Sequence, residues 1–365
     1  MDILNALSKE LNNLTSPHFS AKKYFDVNSK ANRYAIGKNA ETLRLHEISP
    51  LKGIIDDFAP QGSFWHDIPI VKTADVPINA IIANCSTSIS PVNVKQNLIR
   101  SGHDNVIGIN DLVVASNGLF QWPNFVQSMR ADLLKNTSAW QRLYDSLVDE
   151  ESRQTFFDIV RFRLSAEVDL MKSYRVRVQE QYLEPFMRYQ HETFVDAGGF
   201  DGDTTEAFAK KYNDYLKILF FEPSRKNMLA AHRRLADFRD IQYYDKGLSD
   251  NRATLRFDPN AGSASALSVL GSETIEVDKL DQLVDQPVTF IKMDLEGWEL
   301  NALKGSIRHL KDDRPKLAIA AYHDSPDFRL IFEFIENLDI GYDVFMRHYT
   351  QGWSETVLFF RPRKC

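Results

Sequence analysis

Short apolar runs separated by polar stretches of helical period recur in two parts of the chain. The first part extends from about Arg33 to Gly108, with apolar runs at 34–37, 51–55, 80–83 and 105–107. Strands alternating with helices predict βαβ units on a small parallel sheet. From about Asp111 to His191 the apolar spacing becomes helical. Phe125, Met129, Leu133 and Leu134 fall on one predicted face, and Phe156, Phe157, Val160, Leu164, Val168 and Met171 on another. From Thr193 the alternation returns, with strands expected at 193–197, 217–222, 241–244, 288–294, 316–322, 342–346 and 356–360. Several are continuously apolar, as Ile218-Leu219-Phe220-Phe221 shows, which suits strands buried on both faces. The last two are joined by too few residues for a parallel crossover and predict an antiparallel hairpin at the sheet edge. The fold class expected is α/β: a Rossmann-like sheet over 192–365, preceded by a smaller Rossmann-like βαβ domain over 1–110 and a helical connector over 111–191.

Length agrees with that division, because 365 residues exceed what a single core usually organises. The balance of 43% hydrophobic and 26% charged residues excludes a disordered or low-complexity chain. A formal net charge of −6, with no long basic run, gives nucleic acid no electrostatic track, so it is not an expected partner. Two cysteines, Cys85 and Cys365, make no disulfide framework or zinc spacing and suggest a reducing compartment. The first ten residues lack the parts of a signal peptide, and no apolar stretch is long enough to span a bilayer. A soluble, cytoplasmic protein without a membrane partner is expected.

Two glycine turns then focus the chemistry. Gly37 follows the first apolar run and Asp57 stands twenty positions later, the spacing of a ribose acceptor. One glycine is a weak signal, and a structural or substrate-docking role is favoured for this first domain. The second turn is fuller: Phe194-Val195-Asp196-Ala197-Gly198-Gly199-Phe200-Asp201-Gly202-Asp203-Thr204-Thr205. Gly198, Gly199 and Gly202 allow a tight turn and close backbone approach to a ligand, at the strand ends where open α/β sheets bind. Glu222, before Pro223, lies twenty positions after Gly202 and is placed to accept from a ribose. The loop carboxylates Asp196, Asp201 and Asp203 would oppose the pyrophosphate of NAD but suit the cationic ammonium and sulfonium of S-adenosyl-L-methionine. Asp245, beside Lys246, is placed to accept from an adenine amino group, and Asp294 and Glu296 project at the next strand end. Each of these acids could also cap a turn or helix.

These residues resemble the FkbM family of S-adenosylmethionine-dependent methyltransferases, from about Glu192 to the C-terminus. The resemblance is carried by Lys292-Met293-Asp294-Leu295-Glu296-Gly297 with Glu299, Leu303 and Gly305, preceded in order by Asp196-x-Gly198 and Glu222-Pro223. It implies a seven-stranded methyltransferase sheet whose final strand is antiparallel. It also implies a cofactor site comprising Asp196, Gly198, Gly199, Gly202, Thr205, Glu222, Pro223, Asp245, Lys246 and Asp294, with the methionine end at Asp196 and Gly198, the ribose at Glu222 and adenine near Asp245. One departure stands out, since many family members place a Glu at the end of the fifth strand where this chain reads Ala320-Ala321-Tyr322-His323.

Methyl transfer to an alcohol needs the oxygen held in line and benefits from a base. His323, Asp294 and His348 are the candidate catalytic residues, although a structural role remains open for either histidine. No spacing of His, Asp and Glu argues for a metal, and none is expected. The function expected is O-methylation of a small-molecule acceptor, such as a sugar or secondary metabolite. The first domain and connector would dock that acceptor or mediate homo-oligomer formation. The rivals are an NAD-dependent oxidoreductase and a non-catalytic cofactor-binding or regulatory protein.

Overall fold

The computed structural model describes residues 19–26, 32–257 and 273–363. The first ten residues, read above for a signal peptide, and Cys365 lie outside them. Two compact units divide the chain: Met1–Thr137, Phe156–Val176 and Tyr349–Ser354 form one, and Ser138–Thr155, Arg177–His348 and Glu355–Cys365 form the other.

The first unit holds a six-stranded sheet of β1 (Arg33–Ile36), β2 (Gly53–Ile55), β3 (Phe64–Trp65), β4 (Ile68–Val71), β5 (Ile81–Asn84) and β6 (Val106–Ile107). Its order is β3-β4-β2-β1-β5-β6. All pairs are parallel except β3 with β4. β3 and β4 add to the four expected runs; Pro69 within Ile68-Pro-Ile-Val disguises β4, as proline does in an edge hairpin. Gly37 follows β1 at φ +108, and a Cβ there would meet the backbone of Cys85 and Ser86. Only glycine fits that turn. Asp57 is already engaged, its carboxylate accepting from Thr73 N and Oγ1 at 2.7 Å each. Cys85 is buried, which pushes its thiol up to about 12.

The helical period read across 111–191 ends earlier than expected. Regular helices run over Ile109–Ala115, Asn124–Lys135, Thr137–Ser146 and Glu150–Ser165. Ala166 then adopts φ 53, a left-handed conformation that breaks the helix. Val168 and Met171 lie in a short 3₁₀ turn instead of on a helical face. Leu134 is 74% exposed while its neighbour Leu133 is buried, because adjacent helical positions point about 100° apart and only one of them can face the core.

The second unit is built on β7 (Thr193–Ala197), β8 (Lys217–Phe221), β9 (Ile241–Tyr244), β13 (Phe290–Met293), β14 (Lys316–Ala320), β15 (Tyr342–His348) and β16 (Thr356–Pro362). The seven strands are ordered β15-β16-β14-β13-β7-β8-β9. β16 is antiparallel to both β14 and β15, and the other pairs are parallel. β7 and β13 are wholly buried. Phe194 of β7 stacks on Phe290 of β13 at 4.6 Å between ring centroids. The seven-stranded sheet with its antiparallel final strand is therefore present as expected. A small sheet of β10 (Gly247–Leu248), β11 (Ala253–Phe257) and β12 (Glu273–Asp278) was not anticipated. β10 is only two residues long and β12 alternates polar and apolar positions, so neither shows the continuous apolar run that marked the central strands.

Candidate active site

Strand order reverses direction on either side of β7, between β8 and β13. Open α/β sheets form their ligand crevice at such a point, beyond the carboxyl ends of the strands. Gly198 and Gly199 follow β7, and both backbone N–H groups donate to Phe221 O at 3.0 Å. Gly198 has φ +72, and an added Cβ would collide with the Asp294 carbonyl oxygen. At Gly199 the same atom would strike the Phe220 ring. Gly202, at φ +88, precedes the helix Asp203–Lys211. The sequence -Gly-Gly-Phe-Asp-Gly- thus makes a turn pressed between β8 and the end of β13.

Buried charges brace this turn from beneath. Asp196 is 0% exposed and accepts from Thr205 Oγ1 at 2.6 Å. Its other oxygen lies 3.0 Å from Lys292 Nζ. Lys292 donates to Gly198 O at 2.6 Å and Ala197 O at 3.3 Å. Burial alone would depress this ammonium, but Asp196 and Asp294 outweigh it and hold it above its ordinary value. The side chains of Asp196 and Thr205 therefore face one another inside the fold.

Glu222 closes one side of the turn. Its carboxylate accepts from Phe200 N at 3.0 Å and Ser224 N at 2.7 Å. It is 6% exposed, and burial pushes its pKa up to about 7 against those hydrogen bonds. Pro223 follows half-buried, ahead of the helix Arg225–Arg234 capped by Ser224. Asp245 is exposed between β9 and β10. Lys246 lies 3.5 Å from Glu276 and 3.9 Å from Asp278, both on β12.

Across the crevice, β13 ends in Asp294-Leu295-Glu296-Gly297, with Glu296 at φ 53. Left-handed backbone at a non-glycine residue marks strain of the kind that gathers at functional sites. Asp294 Oδ2 accepts from Tyr182 Oη at 2.8 Å and Oδ1 from Tyr322 Oη at 3.4 Å. Gln181 donates to Glu355 at 2.8 Å. Burial first, and Asp294 second, push both tyrosine hydroxyls up and raise Glu355.

His323, just beyond β14, sits among three carboxylates. Its Nε2 is 3.4 Å from Asp294 Oδ1 and 3.4 Å from Glu296 Oε2, and its Nδ1 is 3.1 Å from Glu299 Oε1. Burial would lower its pKa, but Glu299, Asp294 and Glu296 together raise it to about 10. At neutral pH the ring is then an imidazolium, which donates protons and cannot accept one. Burial and the neighbouring acids meanwhile lift Glu296 to about 7. His348 pairs with Thr356 of β16, 2% exposed and with its Nδ1 2.9 Å from Thr356 Oγ1.

The turn therefore brings together Asp196, Gly198, Gly199, Gly202, Thr205 and Glu222, and the β13 end brings together Asp294, Glu296 and His323. Lys292, Tyr322 and Glu355 escaped the sequence reading as site residues. The signal for Lys292 was available: a lysine inside an otherwise apolar strand is a buried charge in need of a partner.

A family model described as the methyltransferase FkbM domain matches residues 196–344. Among solved structures, the chain is similar to methyltransferase FkbM from Methylobacillus flagellatus KT, with 23% identity and a TM-score of 0.75 over 98% of this chain and 99% of that one. That is a likeness of fold. An rRNA methylase from Streptococcus thermophilus matches 48% of this chain and 89% of its own, at 16% identity and a TM-score of 0.33. Aeropyrum pernix fibrillarin, solved with natively bound S-adenosyl-L-methionine, matches 50% of this chain and 71% of its own, at 10% identity and a TM-score of 0.31. A search of curated proteins returned no match. Among the described residues, no helix is long and apolar enough to cross a membrane.

Proposed function

We propose, from the match of residues 196–344 to the methyltransferase FkbM domain, that the protein moves the methyl group of S-adenosyl-L-methionine to an oxygen of a small hydroxylated acceptor, such as a sugar or secondary metabolite. The observation that carries the reading is the charge of the glycine turn. Glu222 and Asp201 line it, and the nearby cations are paired: Arg234 with Asp201 at 2.6 Å and Glu206 at 2.9 Å, and Lys292 with Asp196. A pyrophosphate would meet carboxylates here, whereas a cationic methyl donor is attracted.

The donor supplies an electrophilic methyl on a sulfonium. Glu222, in its ionised form, accepts hydrogen bonds from the ribose hydroxyls. The backbone of Gly198 and Gly199 leaves room for the methionine portion, and exposed Asp245 is available to the adenine amino group. On the acceptor side, Asp294 is held in one orientation by Tyr182 and Tyr322. Glu296, with a pKa near neutrality, is the group matched to take a proton from the acceptor hydroxyl. His323, as an imidazolium, orients these carboxylates.

Calorimetric titration with S-adenosylhomocysteine tests the cofactor, with NAD as comparison and Glu222→Ala as control. Micromolar binding, about −8 kcal/mol, that is lost in Glu222→Ala is the expected result. Binding of NAD alone would make the protein an oxidoreductase. Binding of S-adenosylhomocysteine without methyl transfer to any of a broad panel of hydroxylated acceptors would favour a non-catalytic role.

A further inference from the structure

Buried polar atoms are normally satisfied, and one left without a partner is costly. Twelve buried side-chain nitrogen and oxygen atoms among the described residues have no hydrogen-bond partner. Four of these belong to one cluster: Glu296 Oε2, Glu299 Oε2, and both ring nitrogens of His323, whose approaches to the carboxylates are ion-pair contacts without hydrogen-bond alignment. Such a concentration points to something missing from the cluster rather than to scattered strain.

The geometry identifies what would satisfy it. Asp294, Glu299 and His323 each offer one ligand atom, and the three atoms lie within 4.8 Å of one another. His323 and Glu299 are 7% and 1% exposed in their side chains, so neither can turn to water for a partner. Each ligand is also held in place by a group behind it. Glu299 Oε1 accepts from Leu295 N at 2.6 Å and Gly297 N at 3.4 Å, which leaves Oε2 free of partners. Asp294 is oriented by the hydroxyls of Tyr182 and Tyr322. Metal ligands are commonly steadied by such an outer layer of hydrogen bonds.

We propose that Asp294, Glu299 and His323 bind a divalent transition-metal cation, of the Mn²⁺ or Zn²⁺ kind, with Glu296 beside the imidazole as a third carboxylate. Once the ion displaces the ring proton of His323, one imidazole nitrogen among carboxylate oxygens suits these ions, whereas Mg²⁺ and Ca²⁺ favour oxygen alone. The two carboxylates neutralise the dication, and three protein ligands leave positions open, as metals that act on substrates require. An acceptor hydroxyl occupying an open position would be held and made more acidic. The binding site itself requires no assumption about the cofactor, but this use of the metal rests on the methyl-transfer reading above.

The test uses the full-length protein stripped with a chelator and titrated separately with Mn²⁺ and Zn²⁺. One saturable site per chain is expected, with nitrogen coupling in the electron-spin-echo spectrum of the Mn²⁺ form. Glu299→Gln and His323→Asn should abolish that site, and Tyr182→Phe should weaken it roughly tenfold. Absence of a saturable site in the wild type, absence of the nitrogen coupling, or unchanged binding in Glu299→Gln and His323→Asn chains that remain folded would each overturn the proposal. The wild-type spectrum decides the matter even if both variants fail to fold. Parallel titration with S-adenosylhomocysteine separates the two readings. Metal binding without S-adenosylhomocysteine binding would retire the cofactor reading and leave this site standing, and the reverse would do the opposite.

Discussion

Glu222 combines a buried carboxyl with two backbone N–H donors, and burial dominates, so its pKa rises to about 7 from an ordinary 4.5. The protonated form is then the more stable one in the folded chain. Its contribution to stability is complete below pH 4.5 and is lost as pH rises through about 7. Ligand binding should run the other way, because only the carboxylate accepts from both ribose hydroxyls. S-adenosylhomocysteine is expected to bind about tenfold more weakly at pH 6 than at pH 8, following the ionised fraction. Glu222→Gln should remove that dependence in the same calorimetric series. Lys292 offers a second test at this scale. Its replacement by Met leaves Asp196 buried at 0% exposure without its cation, a loss that typically costs 3–5 kcal/mol. Urea unfolding should show that loss, and pairing Lys292→Met with Asp196→Asn should recover much of it.

At the scale of elements, the glycine turn after β7 is where backbone geometry controls the site. Its two N–H groups extend the hydrogen bonding of β8, and Gly198 touches the carbonyl of Asp294 at the end of β13. One residue therefore sets the spacing between the glycine turn and the end of β13 across the crevice. Gly198→Ala must relieve both a collision and a left-handed φ of +72. A loss of roughly 2–4 kcal/mol is expected, measurable as a lowered thermal midpoint, together with loss of S-adenosylhomocysteine binding. The central strands were legible because β7, β8, β13 and β14 are mostly apolar and buried, the pattern of strands covered on both faces. β4 was hidden by Pro69, and β10 to β12 by brevity and alternation. The helical period carried past Ser165 because Val168 and Met171 keep apolar spacing, while the reversal at Ala166 leaves no mark in composition.

At the scale of the whole molecule, the two units are interleaved along the chain. Ser138–Thr155 and Arg177–His191 belong with the seven-stranded sheet although they precede its first strand. Arg347 of β15 reaches back to Asp149 at 2.8 Å and to Ser152 at 2.8 Å. Tyr182 and Gln181 reach forward to Asp294 and Glu355. A chain beginning at Glu192 should therefore lack a cooperative thermal transition and be digested rapidly by protease. A chain retaining residues 138–365 should resist better, as a time course of limited proteolysis would show.

What the sequence determined by itself was local. Apolar runs marked the main strands, glycines marked the turn, and acids at successive strand ends marked the rim, since each depends on residues adjacent in the chain. The order Asp196-x-Gly198, Glu222-Pro223 and Lys292-to-Gly297 was enough to indicate the family of the second domain. Tertiary structure decided what those residues do. It buried Asp196 against Thr205 and Lys292, and it set Tyr182, Tyr322 and Glu355 around Asp294. It also surrounded His323 with three carboxylates, which makes the ring a cation instead of the base its identity suggested. Burial and the distance between charges fix these properties, and both come from contacts between separate segments, 28 residues apart for Tyr322 with Asp294 and 112 for Tyr182 with Asp294, which no local pattern encodes.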